Sequence, residues 1–301
     1  MSPFFSVVLP TYNHAHFLGR ALQSLMDQTY PHWEALVIDN NSIDNTDDVV
    51  TSFCDPRIRL LKIHNNGIIA ASRNMGISES AGDWIAFLDS DDCWYSNKLN
   101  IFMTYIKSNH IYDVLCNDEL RSDLITGSKK VLRYGPYEFD FYKVLLLKGN
   151  RLSPSATIVR RDFLMRHSLG FDESPNYITV EDYDFWLKLA FNGASFKFIH
   201  VVLGEYVLHG GNCSSKFILH WRNCKHLLHD HVFNIQKFSP SGDYLWKEVY
   251  PRLLFGKLRY ALFNGHFFTV FNTLYEILTS HPKGFAIYLS RALVIYLRSL
   301  T

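Results

Sequence analysis

The sequence predicts an α/β fold in which a largely parallel sheet is covered by helices on both faces. Over the first 120 residues, short β-rich runs alternate with helical patterns, and this alternation is typical of parallel sheets. A polar cluster follows each of the first four β-rich runs. Hydrophobic residues make up 48% and charged residues 20% of the 301 residues, a composition that excludes a disordered or fibrous chain and suits one large or two modest domains.

The elements are predicted in the following order. Strands at 5–9, 33–39, 58–64 and 84–88 alternate with helices near 17–28, 47–54 and 69–79. The middle of the chain is mixed, with strands at 113–117 and 156–159, a helix at 181–191, and late strands at 196–200 and 206–209. From Lys216 the pattern is helical to the end, and it is broken at 240–242 and 281–284 by proline and glycine.

Each of the first four predicted strands is followed by a polar turn. The turns are Thr11-Tyr12-Asn13, Asp39-Asn40-Asn41-Ser42, Asn65-Asn66-Gly67 and Asp89-Ser90-Asp91-Asp92. Ligands bind at the carboxyl ends of the strands in sheets of this kind. We therefore expect the four turns to form one site.

Three carboxylates, those of Asp89, Asp91 and Asp92, lie within four residues directly after an apolar run. A divalent cation would remove their mutual repulsion in a buried site, and hard oxygen ligands favour Mg²⁺ or Mn²⁺. A solvated turn in which Asp92 caps the next helix is an equally open interpretation. An Asp-x-Asp pair also begins the haloacid-dehalogenase phosphatase motif, but Cys93 stands where that motif has Thr or Val.

Asp39 ends the second predicted strand and is followed by two asparagines and a serine. A carboxylate in this position can accept the imide N–H of a uracil or thymine ring. The same pattern is typical of an Asx-turn, in which the side chain bonds its own backbone. Both interpretations are open on the residues alone.

Several motifs occur together in order along the chain. They are SVVLPTYN (6–13), ALQSL (21–25), QTY (28–30), NG (66–67), ASRNMG (71–76), GDWIAFLDSDD (82–92), EDYDFWLKL (181–189) and YVLHGG (206–211). In this combination the chain resembles family 2 glycosyltransferases of the GT-A fold over roughly residues 4–215. The resemblance implies a Rossmann-like catalytic domain at 1–215, with a nucleotide-binding half at 1–110 and an acceptor-binding half at 111–215, followed by a helical extension at 216–301.

The resemblance also implies a nucleotide-binding set. Its members are Pro10, Thr11, Tyr12, Asn13, Asp39, Asn66, Arg73, Asp89 and Ser90. In this set Asp39 would bind the base and Asp89 would face the ribose. The chain departs from the family at Asn40, where a second Asp followed by Gly is usual, so a uridine and a thymidine donor both stay open.

For catalysis, the resemblance implies that Asp182 is the general base, with Glu181 beside it. Asp91 would bind Mn²⁺ or Mg²⁺ on the diphosphate, and His209 would complete the metal sphere. On the residues alone, the two acids could instead mark a helix N-terminus that favours negative charge. A lone histidine is also more often a surface or core residue than a ligand.

The function expected from these residues is inverting transfer of a sugar. The donor would be a UDP-sugar or dTDP-sugar, and the acceptor a hydroxyl of a glycan or polyprenyl-diphosphate-linked glycan, in the synthesis of a bacterial surface polysaccharide such as lipopolysaccharide. The alternatives are a phosphohydrolase that uses Asp89 as nucleophile and an inactive module that binds nucleotide sugars. Ser153-Pro154-Ser155 and Arg160-Arg161 would form either an acceptor-side loop or an ordinary exposed turn.

The last 86 residues are basic and aromatic, with 11 Lys and Arg, 4 Asp and Glu, and 17 of the 46 aromatic residues. They could be helices that pack on the catalytic domain or a surface that binds anionic lipid; no nucleic-acid-binding motif is recognised. Five scattered cysteines without a Cys-x-x-Cys pair indicate a reducing compartment. With no signal peptide and no apolar run of about 18 residues, we expect a cytoplasmic protein, soluble or peripheral at the inner face of the plasma membrane.

Overall fold

The computed structural model describes residues 4–108, 110–210, 216–263, 265–280 and 290. The chain divides into two compact units. The first comprises Met1–Tyr142 and Asn150–Lys216, and the second comprises Lys143–Gly149 and Phe217–Thr301. The segment 143–149, which the sequence pattern assigns to the first domain, thus belongs to the second unit.

The first unit is built on a sheet with helices around it. Its strands are β1 (Phe5–Thr11), β2 (Trp33–Asp39), β3 (Ile58–Lys62), β4 (Trp84–Phe87), β5 (Cys93–Trp94), β6 (Val114–Asp123), β7 (Lys129–Leu132), β8 (Thr157–Arg160) and β9 (Phe196–Leu208). The helices of this unit are α1 (Ala15–Met26), α2 (Thr46–Ser52), α3 (Ile69–Glu79), α4 (Lys98–Ile106), α6 (Arg161–His167) and α7 (Glu181–Phe191). Most of α5 (Phe141–Lys148) belongs to the second unit.

The strand order is β3-β2-β1-β4-β8-β6-β9-β5, and β7 pairs with β6 at the side. The predicted parallel arrangement is found in β3-β2-β1-β4. Beyond β4 the sheet is mixed, because β8 runs antiparallel to both β4 and β6. The α/β fold class is confirmed.

The prediction of two late strands is wrong, since 196–200 and 206–208 lie in the single strand β9, which ends one residue before His209. Its pairing with β6 shifts register between Asn117 and Asp118 and again between Asp118 and Leu120. Such a bulge lets one strand continue through a segment whose alternation is irregular. The pattern of hydrophobic residues is interrupted there although the backbone stays extended.

Alternate residues of β1, β2 and β4 form the core on one face of the sheet, where they pack against α1 and α4. The buried set includes Phe5, Val7, Leu9, Trp33, Val37, Ala86, Leu18, Leu22, Leu99 and Phe102. On the other face α3 approaches β1 closely. A Cβ atom at Gly76 would lie 2.3 Å from Val8 Cγ1, so only glycine permits this contact. The helices thus cover both faces of the parallel strands, and the carboxyl ends of these strands lie together at one edge of the sheet.

The second unit is helical where it is described, with α8 (Phe217–Asp230), α9 (Gly242–Phe263) and α10 (Phe267–Ser280). The predicted break at 240–242 is confirmed, because α9 begins at Gly242; the predicted break at 281–284 lies outside the described residues. Among the described helices, none is both long enough and apolar enough to cross a membrane.

Candidate active site

The polar turns at the carboxyl ends of the strands are hydrogen-bonded to one another. The Asn13 backbone N–H donates to Ser42 Oγ at 2.8 Å, and a hydrogen bond of 3.0 Å joins His14 Nδ1 and Ser90 Oγ. The third turn is held to the second through Asn40, whose Oδ1 accepts the backbone N–H of residue 65 at 2.9 Å. The four turns meet at one edge, as their positions after the strands predict.

Asp39 is fully buried at the end of β2, with its carboxylate already held in place. Lys62 Nζ, at the end of β3, lies 2.6 Å from Asp39 Oδ2. Ser42 donates its backbone N–H at 3.1 and 3.2 Å and also donates its hydroxyl. Beside Asp39 in register lies Thr11, whose buried Oγ1 has no hydrogen-bond partner among the described residues. Among the residues that the structure describes, this hydroxyl is therefore a buried, unpaired polar group beside Asp39.

The other predicted nucleotide-binding residues differ in accessibility. Tyr12 is 55% exposed, whereas Pro10 is buried within β1. Asn13 and Asn66 both adopt left-handed backbone conformations, with φ of 51° and 52°. Asn66 is exposed, while the neighbouring Asn65 is buried and fastens the turn to α3 through Ser72 Oγ at 2.8 Å.

Arg73 brings together two motifs that are far apart in sequence. Its Nη2 lies 2.8 Å from Asp89 Oδ1 and its Nη1 lies 2.7 Å from Glu181 Oε1. The arginine is 2% exposed. Although burial alone would lower its pKa, the carboxylates of Asp89 and Glu181 raise the pKa of Arg73 above its usual range. The cation therefore stays charged between two acids at the centre of the site.

Asp182 lies beside this cluster in the first turn of α7, which begins at Glu181 as predicted. Its Oδ1 accepts the backbone N–H of Tyr183 at 2.7 Å, and its Oδ2 accepts Asn150 Nδ2 at 3.1 Å. Burial first, and then the neighbouring Glu181, raise the pKa of Asp182 to about 7, while Arg73 opposes the shift. A carboxylate with this pKa can take up and release a proton near neutral pH.

Asp91 and His209 form a pair in which Asp91 Oδ2 lies 2.9 Å from His209 Nε2. The His209 ring packs against Phe17, with centroids 4.6 Å apart, and lies 5.9 Å from the ring of His14. Burial and the charge of Asp89 raise the pKa of Asp91. Within the described part of the chain, no group of three or more His, Cys, Asp and Glu side chains is arranged to hold a metal.

Asp92 does not cap a helix, and that interpretation is wrong. The carboxylate is buried, accepts the Ser155 hydroxyl at 2.5 Å through Oδ2, and accepts the Val207 backbone N–H at 2.9 Å through Oδ1. The next helix begins only at Lys98, with Asn97 in the capping position. Burial raises the pKa of Asp92 well above its usual value, because a buried site disfavours the charged carboxylate.

The interpretation of Arg160-Arg161 as part of an acceptor-side loop is wrong. Arg160 pairs in register with Trp84, at the start of β4, whereas the candidate site lies at the end of β4. Because β8 runs antiparallel to β4, its last residues lie at the opposite edge of the sheet. Ser155, which precedes β8, lies at the site but is buried beneath the carboxylate turn.

Some residues at the site are not singled out by the sequence. Lys62 could have been found, because parallel pairing of the predicted strands places the end of β3 beside Asp39. Asn150 has no such signal, and Ser155 is singled out by the sequence only as part of a possible acceptor-side loop. They reach the site from loops whose course depends on the tertiary fold.

Comparison with known proteins agrees with this fold and site. The model of the family described as "Glycosyl transferase family 2" matches residues 6–167. Escherichia coli WfgD, a UDP-Glc:alpha-D-GlcNAc-diphosphoundecaprenol beta-1,3-glucosyltransferase, is 33% identical over 184 residues, which are 61% of this chain and 68% of WfgD.

Two solved structures share the fold at low sequence identity. S. aureus TarS in complex with UDP-GlcNAc superposes with a TM-score of 0.68 at 18% identity, covering 96% of this chain and 84% of TarS. The mannosyltransferase PcManGT from Pyrobaculum calidifontis, in complex with GDP-Man and Mn²⁺, gives a TM-score of 0.63 at 18% identity, covering 99% of this chain and 81% of PcManGT. With the motifs, the sheet and the family match in agreement, the chain belongs to glycosyltransferase family 2 and has the GT-A fold.

Proposed function

We propose that this glycosyltransferase moves a sugar from a UDP-sugar or dTDP-sugar to a hydroxyl of a lipid-linked glycan, with inversion at the anomeric carbon. The observation that carries the proposal is the arginine bridge. Arg73 holds Asp89, which follows β4, and Glu181, which opens α7, within 2.8 Å of its guanidinium nitrogens. The carboxylate turn and the candidate base, Asp182, thereby form one site.

The buried Asp39 supports a pyrimidine donor. Lys62 Nζ lies 2.6 Å from its carboxylate and orients it, and an ionised carboxylate only accepts hydrogen bonds. Uracil and thymine both offer an imide N–H to such an acceptor. The WfgD donor is UDP-Glc and TarS binds UDP-GlcNAc, so we place UDP-sugars first and dTDP-sugars second.

Asp91 and His209 are the residues proposed to hold Mn²⁺ or Mg²⁺. The donor set fits, because carboxylate oxygen and imidazole nitrogen both suit Mn²⁺ and their donor atoms lie 2.9 Å apart. Burial first, and then the charge of Asp89, raise the pKa of Asp91, and a bound cation would relieve the repulsion between the two carboxylates. When bound, the ion would act as a Lewis acid on the departing diphosphate; PcManGT carries Mn²⁺ together with GDP-Man.

In the proposed reaction Asp182 is the general base. Its free lone pair accepts the proton of the acceptor hydroxyl while that oxygen forms a bond to the anomeric carbon. The bond from this carbon to the diphosphate oxygen breaks on the opposite face, and the nucleoside diphosphate leaves with the electron pair. One displacement inverts the anomeric configuration and needs no covalent nucleophile. Asn150 and the Tyr183 backbone N–H orient the base.

The acceptor and setting are proposed from one relative, WfgD. WfgD acts on an alpha-D-GlcNAc-diphosphoundecaprenol acceptor, so we propose a lipid-linked glycan and the synthesis of a bacterial surface polysaccharide such as lipopolysaccharide. The alternative of a phosphohydrolase that uses Asp89 is disfavoured by the ion pair between Asp89 and Arg73 at 2.8 Å, because that pair lowers the nucleophilicity of the carboxylate.

We also propose that the helical extension binds an anionic membrane surface. On α10 the residues Phe267, Phe268, Phe271 and Tyr275 are between 69% and 80% exposed. Aromatic side chains exposed together on one helix are typical of helices that lie at an interface. Arg291 and Arg298, which contribute to the predicted basic surface, lie outside the described residues.

The test is a panel of UDP-, dTDP- and GDP-sugars, with and without Mn²⁺ and with and without a GlcNAc-diphospho-lipid acceptor. The proposal expects UDP or dTDP release that requires both the ion and the acceptor, and NMR of the product should give the anomeric configuration opposite to that of the donor. Phosphate release from simple esters without acceptor would establish the phosphohydrolase instead. Nucleotide binding without turnover on any acceptor would establish an inactive module.

A further inference from the structure

Ser155 lies directly beneath the carboxylate turn and is 1% exposed. Its hydroxyl oxygen accepts the backbone N–H of Asp89 at 3.1 Å and donates its proton to Asp92 Oδ2 at 2.5 Å. One hydroxyl therefore holds both ends of the turn that carries Asp91. Removing it would leave a buried N–H and a buried carboxyl oxygen without this partner, which is costly inside a protein.

The backbone of Ser155 is itself fixed by two further donors. Its carbonyl oxygen accepts Lys98 Nζ at 2.5 Å and Trp94 Nε1 at 2.8 Å. Lys98 is fully buried, and its ammonium group lies 4.2 Å from the centre of the Trp94 ring. A buried lysine is costly unless hydrogen bonds compensate for the lost water, so the bond to the Ser155 carbonyl ties this backbone segment to α4 and β5.

The other carboxylate oxygen of Asp92 extends this anchor to the strand before the candidate metal-binding histidine. Asp92 Oδ1 accepts the backbone N–H of Val207 at 2.9 Å, and His209 follows two residues later. The path from Ser155 through Asp92 thus reaches the backbone next to both Asp91 and His209. A displacement of the Ser155 hydroxyl would alter the distance between the two proposed metal ligands, Asp91 and His209.

We propose that Ser155 is a positioning residue that sets the placement of Asp89 and Asp91 for binding of the nucleoside diphosphate and its divalent cation. The proposal rests on the proposed function, since it takes Asp91 as a metal ligand. It assigns to Ser155 a role in donor binding, in place of the acceptor-side role that its sequence position indicates.

The test compares Ser155→Ala with Ser6→Ala, a closely matched control. Ser6 is also fully buried, donates its hydroxyl to Glu34 Oε1 at 2.6 Å and accepts the backbone N–H of Gly82 at 2.8 Å. Its bonds lie near the start of β1, at the end away from the candidate site. Both variants lose the same kind of hydrogen bonds, but only one loses them at the carboxylate turn.

The measurements are titration calorimetry of UDP in the presence of Mn²⁺, Mn²⁺ binding followed by electron paramagnetic resonance, and thermal unfolding. We expect both variants to unfold at lower temperature than the wild type. Only Ser155→Ala should weaken binding of UDP with Mn²⁺, by about 10- to 100-fold, as is usual when a group that orients a metal ligand is lost. The KM for the donor should rise more than kcat falls.

Equal UDP and Mn²⁺ affinity in Ser155→Ala, Ser6→Ala and the wild type would overturn the inference. Asp91→Ala, measured in the same way, separates this failure from failure of the proposed metal site, because wild-type affinity in Asp91→Ala would overturn that site itself. If Ser155→Ala does not fold, Ser155→Cys replaces it with the same expectation, since a thiol is a weaker donor and acceptor of similar size.

Discussion

The pKa of Asp182 predicts how sugar transfer depends on pH. Burial and Glu181 raise that pKa to about 7, against the opposing charge of Arg73. A base must be ionised to accept a proton, and at this pKa the ionised fraction is about one tenth at pH 6, one half at pH 7 and nine tenths at pH 8. The rate of the chemical step should therefore rise about fivefold from pH 6 to 7 and about twofold from pH 7 to 8.

The substitution Asp182→Asn keeps the size of the side chain but removes the base. We expect kcat to fall by about 10²- to 10⁴-fold, with the affinity for the nucleotide little changed. The remaining activity should lose the pH dependence described for the wild type. Single-turnover measurements with saturating donor, acceptor and Mn²⁺ are the appropriate assay, because slow product release could otherwise mask the chemical step.

The same pKa has a consequence for stability. The carboxyl group has a higher pKa in the folded than in the unfolded chain, where the usual value is 3.8, so the fold favours its protonated form. This stabilisation is complete below about pH 4 and is lost as the pH rises through about 7. The full shift corresponds to about 4 kcal/mol, and solvent screening of a partly exposed side chain reduces it to about 1–2 kcal/mol.

Asp182→Asn should therefore be more stable to urea than the wild type at pH 8 but not at pH 4. Asp162→Asn is the control, because Asp162 is 68% exposed and pairs with Arg166 on α6; we expect it to leave kcat and its pH profile unchanged. A wild-type rate that is flat between pH 6 and 8, or an Asp182→Asn variant that keeps wild-type kcat, would refute the assignment of Asp182 as the base.

Three further predictions follow from the site and the helical extension. Asp91→Ala should abolish Mn²⁺-dependent UDP release while circular dichroism stays unchanged. Asn150→Ala removes a hydrogen bond that lowers the pKa of Asp182, so the acidic limb of the pH–rate profile should move up by about 0.5–1 unit. The full chain should sediment with anionic but not neutral vesicles and less so as salt rises, and Phe268→Ser with Phe271→Ser should weaken this binding.

Each of these three predictions has a control or a result that would contradict it. Turnover in Asp91→Ala that persists when Mn²⁺ is chelated would remove Asp91 from the metal site. Asn100→Ala is the control for Asn150→Ala, because the exposed amide of Asn100 donates to Thr29 Oγ1 at 2.6 Å rather than to a carboxylate. Equal pH profiles in the two variants would show that Asn150 does not affect the pKa of the base. Equal failure to sediment with neutral and anionic vesicles at low salt would mean that the extension does not bind membranes.

The sequence by itself determined the elements that depend on local pattern. The bounds predicted for β2, α3 and α7 coincide with those of the structure, because alternation and helical periodicity are properties of a few consecutive residues. The polar turns after the strands also lie together at one edge, as predicted, since successive parallel strands end on the same side of the sheet.

Only the tertiary structure decided which side chains complete the site. Arg73 joins Asp89 to Glu181, which lies 108 residues after the arginine, and no local sequence pattern predicts that contact. The antiparallel direction of β8 puts Ser155 at the carboxylate turn, and a loop brings Asn150 to the base. Such contacts depend on how distant segments pack, and a hydrogen bond between them leaves no periodic signal in the sequence.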